Sequence, residues 1–393
     1  MNIFNSLGSN YDFNFVIKSL WTFTGNSKKL ENLLEEKYGG KAILVYKGRE
    51  AIELGLKSLN LPEGSFVAIN GFTCFAVFDA IKKAGLNLEY LDIGKGSLNF
   101  SADSLEKAFE KNLKIKVVII QNTLGYPYDI EGISKICKEN NLCLIEDIAH
   151  SIGTKYENGE EAGTIGDMTI LSFSQDKMID GISGGALISK LPISSLHLEG
   201  VGIKQQLVDR FYPLFTYIIR RTYPIGLGKL LHFILKRLNL LSKPMIGADA
   251  NKLHKLPGWY TNLIKQGFNK LEENLDHRKN IASIYSQMIN PKVISPLISE
   301  QIKSSSNLRF PIFVNNRSDL IKYLNNNRIY ISDVWYDAPI APKKYLPKTD
   351  YQNQCPNSEL ISQTILNLPT HKNISVENAK NLSKLVNQWL TQQ

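Results

Sequence analysis

An aspartate and a lysine thirty positions apart each follow an apolar segment of the sequence. Residues 143–145 predict a buried strand that leads to Asp147, and residues 168–173 predict a second strand that leads to Lys177. Open α/β sheets bind ligands at the carboxyl ends of their strands, so both side chains are expected at one sheet edge. There a lysine amine can form a Schiff base with an aldehyde, and a carboxylate can keep a pyridine nitrogen protonated. The pair therefore suggests pyridoxal phosphate, with Lys177 as the catalytic residue.

Each of these residues, taken alone, also has an interpretation without a cofactor. Most lysines are exposed and inert, and an aspartate at a strand end is often a helix cap. His150, three residues after Asp147, can stack on a cofactor ring or bond to it, or it can be a loop histidine. Ser172 can donate to a phosphate or complete the hydrogen bonds of its own strand. The glycines at 181, 184 and 185 favour a loop that packs closely against a cofactor.

A phosphate site is predicted at the turn 45–51, VYKGREA, which leaves the first predicted strand and opens a helix. Free amides and the helix dipole favour anions at such a turn, and Gly48 beside Arg49 permits close backbone approach. A turn glycine without a ligand is the alternative. The nucleotide-binding patterns G-x-G-x-x-G and G-x-x-x-x-G-K-[ST] do not occur at this turn.

The elements that position these residues follow from the alternation of apolar runs and helical patterns between residues 41 and 189. This alternation predicts βαβ units around a mainly parallel seven-stranded sheet flanked by helices, an α/β fold. The predicted strands are 42–45, 66–69, 88–91, 117–120, 143–145, 168–173 and 186–188. The predicted helices between them are 49–59, 75–84, 102–110 and 130–140.

With 393 residues, 43% of them hydrophobic, the chain can form two or three domains. We expect a large cofactor-binding domain over 1–250 and a small α+β domain over 251–393. A helix over 259–288 is predicted to connect them. The small domain is predicted from segments 308–314, 320–326, 329–332 and 376–390.

Composition limits the partners and the compartment. The four cysteines have no paired metal-ligand spacing, and residues 1–14 carry no secretory signal, so we expect a cytoplasmic protein without a metal site. The net charge of +9 is concentrated between Asp209 and Asp249, where seven residues are basic and none is acidic.

Those charges lie in a basic, aromatic-rich insertion at about 204–245. Pro213, Arg220, Arg221 and Pro224 are expected to interrupt it, so that no stretch spans a bilayer. Its second half has one apolar face and one basic face. It can pack on the protein or a partner subunit, or lie on an anionic membrane surface. Nucleic-acid binding is a third reading, which we do not expect to apply.

Taken together, the motifs resemble the DegT/DnrJ/EryC1/StrS family, the sugar aminotransferases among fold-type I pyridoxal-phosphate enzymes. The similar segments are 48–51, 71–74, 146–150, 172–177 and 183–186, with fainter similarity over 333–336 and 365–369. The resemblance implies that Lys177 bonds to the cofactor and moves protons, and that Asp147 pairs with the ring nitrogen. It also implies that Ser172 and the turn with Gly48 and Arg49 bind phosphate, and that His150 flanks the ring.

The sequence departs from the family pattern in two places. An aromatic residue typically follows the threonine equivalent to Thr73 and stacks on the cofactor; here Cys74 follows, and Phe75 is the candidate for stacking. Typical members also carry an asparagine that crosses the dimer interface to the phosphate, where this chain reads PGWY at 257–260. A related dehydratase subgroup has histidine in place of the lysine, so Lys177 favours transamination over dehydration.

The resemblance implies a homodimeric aminotransferase that moves an amino group from an amino acid, glutamate by resemblance, to a keto sugar. The sugar is expected to be nucleotide-linked and to serve surface polysaccharide or secondary-metabolite synthesis. One alternative is a pyridoxal-phosphate enzyme for a non-sugar ketone or an amino acid. Another is a cofactor-binding regulator or scaffold without turnover, in which the insertion binds a partner or a membrane.

Overall fold

The computed structural model describes residues 2–194, 196–243, 252–331 and 335–392. In this part of the chain the strands are β1 (Ile3–Phe4), β2 (Lys41–Val45), β3 (Phe66–Asn70), β4 (Thr73–Cys74), β5 (Asn87–Leu91), β6 (Ile115–Ile120), β7 (Cys143–Asp147), β8 (Met168–Ser172), β9 (Gly185–Ser189), β10 (Arg309–Phe313), β11 (Ile329–Tyr330), β12 (Ile340–Ala341) and β13 (Ile365–Pro369).

The helices of the same part lie between and after these strands. They are α1 (Phe13–Trp21), α2 (Ser27–Tyr38), α3 (Gly48–Ser58), α4 (Phe75–Lys83), α5 (Ala102–Lys111), α6 (Ile130–Glu139), α7 (Ile203–Thr222), α8 (Leu227–Arg237), α9 (Gly258–Asn269), α10 (Leu271–Met288), α11 (Pro296–Glu300), α12 (Arg317–Asn326), α13 (Pro356–Thr364) and α14 (Val376–Leu390).

The central sheet has seven strands in the order β2-β9-β8-β7-β6-β3-β5. The two pairings of β9 are antiparallel and the other four pairings of this sheet are parallel, so the predicted mainly parallel α/β fold is confirmed. All seven predicted strands are present and differ from the prediction by at most two residues at either end. They could be recognised in the sequence because the strands of a sheet that is buried on both faces consist of short continuous apolar runs.

Parallel pairing of β7 with β8 sets the distance between the two chemical residues. Ile145 lies opposite Met168, and Asp147 lies opposite Ile170. Both strands are buried almost throughout. Asp147 therefore emerges at the carboxyl end of β7, beside the loop that follows β8 and carries Lys177.

A second apolar core lies beyond the sheet. It is built largely from α10, α12 and α14 and the antiparallel pair β10–β13. The expected small-domain elements at 308–314, 320–326 and 376–390 correspond to β10, α12 and α14. The domain boundary expected at 250/251 falls within 244–251, and Ser332 of the predicted strand 329–332 falls within 332–334; both segments lie outside the described residues. The division into domains 1–250 and 251–393 stays a prediction.

Two local predictions were wrong. The helix expected over 259–288 is divided into α9 and α10, because Lys270 has φ −113° and ψ 13° and leaves the helical conformation. In the insertion, Pro213 does not end a helix: α7 continues through it from Ile203 to Thr222. The loss of one backbone hydrogen bond at a proline can be offset by tertiary packing, and the buried Tyr212 and Thr216 supply that packing here.

Glu146 joins β7 to the segment before β8. Its buried carboxylate accepts hydrogen bonds from the Tyr156 hydroxyl (2.7 Å) and from the backbone N–H groups of Gly163 (2.7 Å), Ile165 (2.8 Å) and Gly166 (2.6 Å). These bonds fold the 163–166 segment against the strand that presents Asp147.

We predict that Glu146→Gln destabilises the protein by about 3 kcal/mol, because an amide has one acceptor oxygen for donors that need two. The midpoint of thermal unfolding should fall by roughly 4 °C or more. Glu157→Gln, at an exposed position nearby, is the control and should leave the midpoint almost unchanged. Equal midpoints for the two variants would contradict this role of Glu146.

Candidate active site

A cavity of about 250 Å³ opens at the carboxyl edge of the sheet. The end of β7, the loop after β8, the amino terminus of α3 and a segment before β12 form its walls. The predicted residues that line it are Gly48, Arg49, Asp147, His150, Ser172 and Lys177. The structure thus brings six of the seven predicted site residues to one place.

Asp147 and Lys177 both line this cavity, where Asp147 is buried and Lys177 is partly exposed. Asp147 is 3% exposed and accepts a hydrogen bond from the Ala149 N–H at 3.0 Å. Burial raises the pKa of Asp147 to about 6, although the Ala149 bond and the charge of Lys177 oppose the shift. Burial lowers the pKa of the Lys177 amine. Each group is therefore closer to changing its protonation state near neutral pH than it would be in water.

The lysine loop is held from two directions. Asp176 has a φ of 63°, which turns the chain sharply before Lys177. Asp180 accepts hydrogen bonds from the Asp176 N–H (2.7 Å), the Ile182 N–H (2.9 Å) and the Tyr11 hydroxyl (2.8 Å). Asn10 donates to the Lys177 carbonyl at 3.2 Å. Residues near the amino terminus therefore fix the backbone that carries the amine.

The turn before α3 lies against the end of β8. A Cβ atom on Gly48 would lie 2.8 Å from the Ser172 Cβ, so this contact requires glycine. Arg49 forms an ion pair with Asp79, with 3.7 Å between Nη1 and Oδ2. The serine hydroxyl and the first turn of α3 thus share one corner of the cavity, as a phosphate site would require.

His150 forms one side of the cavity with two residues from the distant segment before β12. Its ring stacks on Trp335, with 5.4 Å between centroids and 22° between planes, and its Nδ1 lies 3.3 Å from the Tyr336 hydroxyl. Burial and the charges of Lys177 and Arg309 hold the pKa of His150 well below its usual range. His150 is therefore a neutral ring at physiological pH.

Phe75 is the predicted site residue that does not line the cavity. Its ring stacks on Tyr345, with 4.9 Å between centroids, and packs near Phe78. Cys74 lines the cavity in its place. Thr73 and Cys74 form the short strand β4, which pairs with β12, and α4 begins at Phe75. The cavity wall at this point is therefore a thiol.

Several lining residues were not predicted as site residues from the sequence: Lys47, Gln121, Gln175, Asp176, Trp335 and Tyr336. Gln121 directly follows β6, so its position at a strand end could have identified it. Trp335 and Tyr336 belong to the family-like segment 333–336, of which Asp333 and Val334 lie outside the described residues. Their place in the cavity depends on tertiary packing that no local pattern reveals.

A comparison with protein-family models identifies the chain. Residues 9–200 and 259–387 match the DegT/DnrJ/EryC1/StrS aminotransferase family, so the match covers well over half of the sequence. The chain belongs to this family. Pyridoxal phosphate is the cofactor of its aminotransferases.

Individual relatives agree with the family match. The chain is 31% identical to GDP-perosamine synthase of Escherichia coli O157:H7 over 180 residues, 45% of this chain and 49% of that protein. The chain thus spans about half the length of that relative. It is 24% identical to GDP-4-keto-6-deoxy-D-mannose 3-dehydratase of Yersinia pseudotuberculosis, over 94% of this chain and 92% of that protein.

Solved structures show the same fold. Helicobacter pylori PseC, an aminotransferase involved in the biosynthesis of pseudoaminic acid, superposes with a TM-score of 0.73. The superposition covers all of both chains at 18% sequence identity. The predicted fold-type I architecture is therefore confirmed.

The residues of the cavity fit the cofactor of this family. Lys177 supplies an amine, and Asp147 is an ionisable carboxylate buried in the same cavity. Gly48 allows close approach of a phosphate, and the buried Lys47 amine has no hydrogen-bond partner among the described residues. Within those residues, no group of three histidine, cysteine, aspartate or glutamate side chains could hold a metal ion.

The segment 257–260, at which the sequence departs from the expected family pattern, forms contacts within its own chain. The Tyr260 hydroxyl donates to Asp209 at 2.7 Å, and the Trp259 indole donates to Gln206 at 3.1 Å. Tyr260 is fully buried and Trp259 is 5% exposed. These side chains attach α9 to the insertion helix α7.

The raised pKa of Asp147 predicts a pH-dependent stability difference in the cofactor-free protein. A carboxyl whose pKa is raised from 3.8 to about 6 contributes stability that is complete below pH 3.8. That contribution is lost as the pH rises through 6. Asp147→Asn removes the titration, so the variant should gain about 3 kcal/mol relative to the native protein between pH 4 and pH 8.

Unfolding midpoints of both cofactor-free proteins across this range provide the measurement. The difference in stability in favour of Asp147→Asn should increase as the pH rises. A difference in midpoint that does not change with pH would contradict the burial argument for Asp147.

Proposed function

We propose that this protein transfers an amino group from an amino acid, glutamate, to a keto sugar that is linked to a nucleotide. The position of Asp147 and Lys177 in one cavity at the sheet edge carries this proposal. The names of the relatives support the substrate class, since GDP-perosamine synthase and PseC act in amino-sugar synthesis. We place the reaction in surface-polysaccharide or secondary-metabolite synthesis.

When bound, the cofactor supplies an electron-accepting pyridine ring. Asp147 then holds the proton on the ring nitrogen, and the positive charge of that nitrogen favours the ionised carboxylate. Lys177 would hold the cofactor through its amine, and the same amine, suited by its lowered pKa, would move a proton at the reacting carbon. His150, neutral and stacked on Trp335, orients the ring. Ser172 and the backbone turn at Gly48 and Arg49 would bind the phosphate.

Dehydration is the competing reaction, because one relative is a 3-dehydratase. Transfer of nitrogen to the sugar requires an amine that can accept and return protons beside the reacting carbon. Lys177 provides this amine, whereas the related dehydratase subgroup has histidine at the equivalent position. The lysine therefore favours transamination.

We propose a homodimer with the sites close to its interface. Phe13, Ile17 and Trp21 lie at spacings of four on α1 and are 58%, 41% and 72% exposed. They form one uncharged apolar stripe, which a twofold contact can bury against its own copy. This stripe is our candidate for part of the subunit interface.

We further propose that the protein acts at the cytoplasmic face of a membrane and binds it through the insertion. The exposed apolar face of α8 consists of Leu227, Leu230, Phe233, Ile234 and Leu238. Among the described residues, no helix is both long and apolar enough to cross a bilayer. A contact through this face would therefore be peripheral.

Charge selects a membrane as the partner of the α8 face. Lys229, Lys236 and Arg237 are exposed on the same helix, and the sequence from 210 to 248 contains no acidic residue. A twofold contact of this face with its own copy would bring like charges together. An anionic bilayer supplies both an apolar phase and the opposite charge. The nucleotide-linked acceptor would then be used close to the membrane surface.

The first test follows the cofactor spectrum. Glutamate should replace the visible band of the native protein with that of the aminated cofactor, and Lys177→Ala should slow this change by at least about 10³-fold. Lys155→Ala, at an exposed position, should behave as the native protein does. A Lys177→Ala protein that still reacts at the native rate would exclude this lysine as the proton carrier.

The second test is co-sedimentation with vesicles. Leu230→Ser with Phe233→Ser should lower partition into phosphatidylserine-containing vesicles by at least about tenfold, because two apolar side chains that would enter the bilayer are removed. Leu113→Ser is the control, since Leu113 is 65% exposed on another surface. Native partition by the double variant, with loss of dimers in light scattering, would assign the α8 face to a subunit interface instead.

A further inference from the structure

Lys47 occupies an unusual place in the cavity. It is the residue before the first turn of α3, and it is 3% exposed. It lines the cavity together with Gly48, Arg49 and Ser172, which form the phosphate corner. A lysine so deeply buried is rare unless a counter-charge accompanies it.

The structure provides no hydrogen-bonded counter-charge for this amine. The Lys47 Nζ is buried and has no hydrogen-bond partner among the described residues. It lies 4.6 Å from the centroid of the Tyr46 ring, a contact that stabilises a cation only weakly. Burial lowers the pKa of Lys47, as expected for an amine that has lost its water.

The two carboxylates whose charges act on Lys47 already have other hydrogen-bond partners. Asp209 accepts hydrogen bonds from the Tyr46 hydroxyl (2.6 Å), the Tyr260 hydroxyl (2.7 Å) and the Gln205 amide (2.9 Å). Glu50 accepts from the backbone N–H groups of Tyr46 and His254 and contacts the His254 ring at 3.1 Å. Both attract Lys47 only at a distance. Neither carboxylate forms a hydrogen bond with the Lys47 amine.

The other cation of this turn is directed elsewhere, because the Arg49 guanidinium forms its ion pair with Asp79. Of the two cations in this turn, Lys47 is the buried one, and its amine has no hydrogen-bonded anion among the described residues. A phosphate ester at the first turn of α3 would carry two negative charges against this amine. It would offset the cost of burying a lone ammonium.

We propose that Lys47 is a phosphate-binding residue of the cofactor site and supplies the principal positive charge against the phosphate from within the same subunit. Gly48 then permits close approach of the phosphate to the backbone, and Ser172 donates a hydrogen bond to it. Lys47 supplies the positive charge. Lys47 positions the cofactor and takes no part in the proton transfers of Lys177. The inference rests on the cofactor of the proposed function.

Cofactor titration tests this role with a probe that lacks the phosphate. Lys47→Met should weaken the binding of pyridoxal phosphate at least tenfold, since a buried charge pair loses one member. The binding of pyridoxal should change less than about threefold. Lys47→Arg should recover a large part of the lost affinity. Lys57→Met, on the same helix but partly exposed and paired with Glu53, is the control and should bind both compounds as the native chain does.

Two further measurements separate a binding role from a structural one. Lys47→Met should not lower the unfolding midpoint of the cofactor-free protein, because an unpaired buried charge has been removed. The phosphorus resonance of bound cofactor should shift in this variant and return toward the native position in Lys47→Arg. A lower midpoint, with an unchanged affinity ratio for pyridoxal phosphate and pyridoxal, would overturn the proposal and make Lys47 a structural residue.

The outcome is distinguishable from failure of the proposed function. Excess pyridoxal phosphate should restore the visible cofactor band of Lys47→Met, because Lys177 and Asp147 are intact. Absence of pyridoxal phosphate binding by the native chain would refute both proposals. Native binding with an unaltered Lys47→Met affinity would refute only the role of Lys47.

Discussion

The structure depends on keeping ionisable side chains of opposite sign in a cavity that admits little water. Asp147 and Lys177 are expensive to bury, and the raised and lowered pKa values show that each resists its charged form. Hydrogen bonds that fix the surrounding backbone help to offset this free-energy cost. Glu146 fastens the segment beside Asp147, and Asn10, Tyr11 and Asp180 hold the loop of Lys177. A ligand with a basic nitrogen and an aldehyde then finds both groups in place.

The surrounding elements divide the remaining tasks. The sheet edge carries the proposed reactive pair, and the start of α3 carries the proposed phosphate site with Gly48 and Lys47. The segment before β12 covers the ring of His150 with Trp335 and Tyr336. The insertion helix α7 reaches this centre through Asp209, which binds the hydroxyls of Tyr46 and Tyr260. The insertion is thereby hydrogen-bonded, through α7, to Tyr46, the residue before Lys47.

Much of this arrangement could be predicted from the sequence, because buried parallel strands leave continuous apolar runs and turns leave glycine. Seven strands and the positions of Asp147 and Lys177 follow from that pattern alone. Phe75 was placed at the cavity because its neighbours match a motif. The short pairing of β4 with β12 and the start of α4 give that place to Cys74. Trp335 and Lys47 depend on tertiary contacts, and the division between α9 and α10 depends on one backbone conformation at Lys270. None of these leaves a periodic signal.

Borohydride reduction of the protein with bound pyridoxal phosphate tests the central claim most directly, because it fixes the bond between a lysine and the cofactor. Peptide mass mapping then identifies the lysine. The account predicts the phosphopyridoxyl group on the peptide that contains Lys177 and none on the peptide that contains Lys47, although both residues line the cavity. Labelling of Lys47, or of neither lysine, would contradict the assignment of chemistry to one residue and phosphate binding to the other.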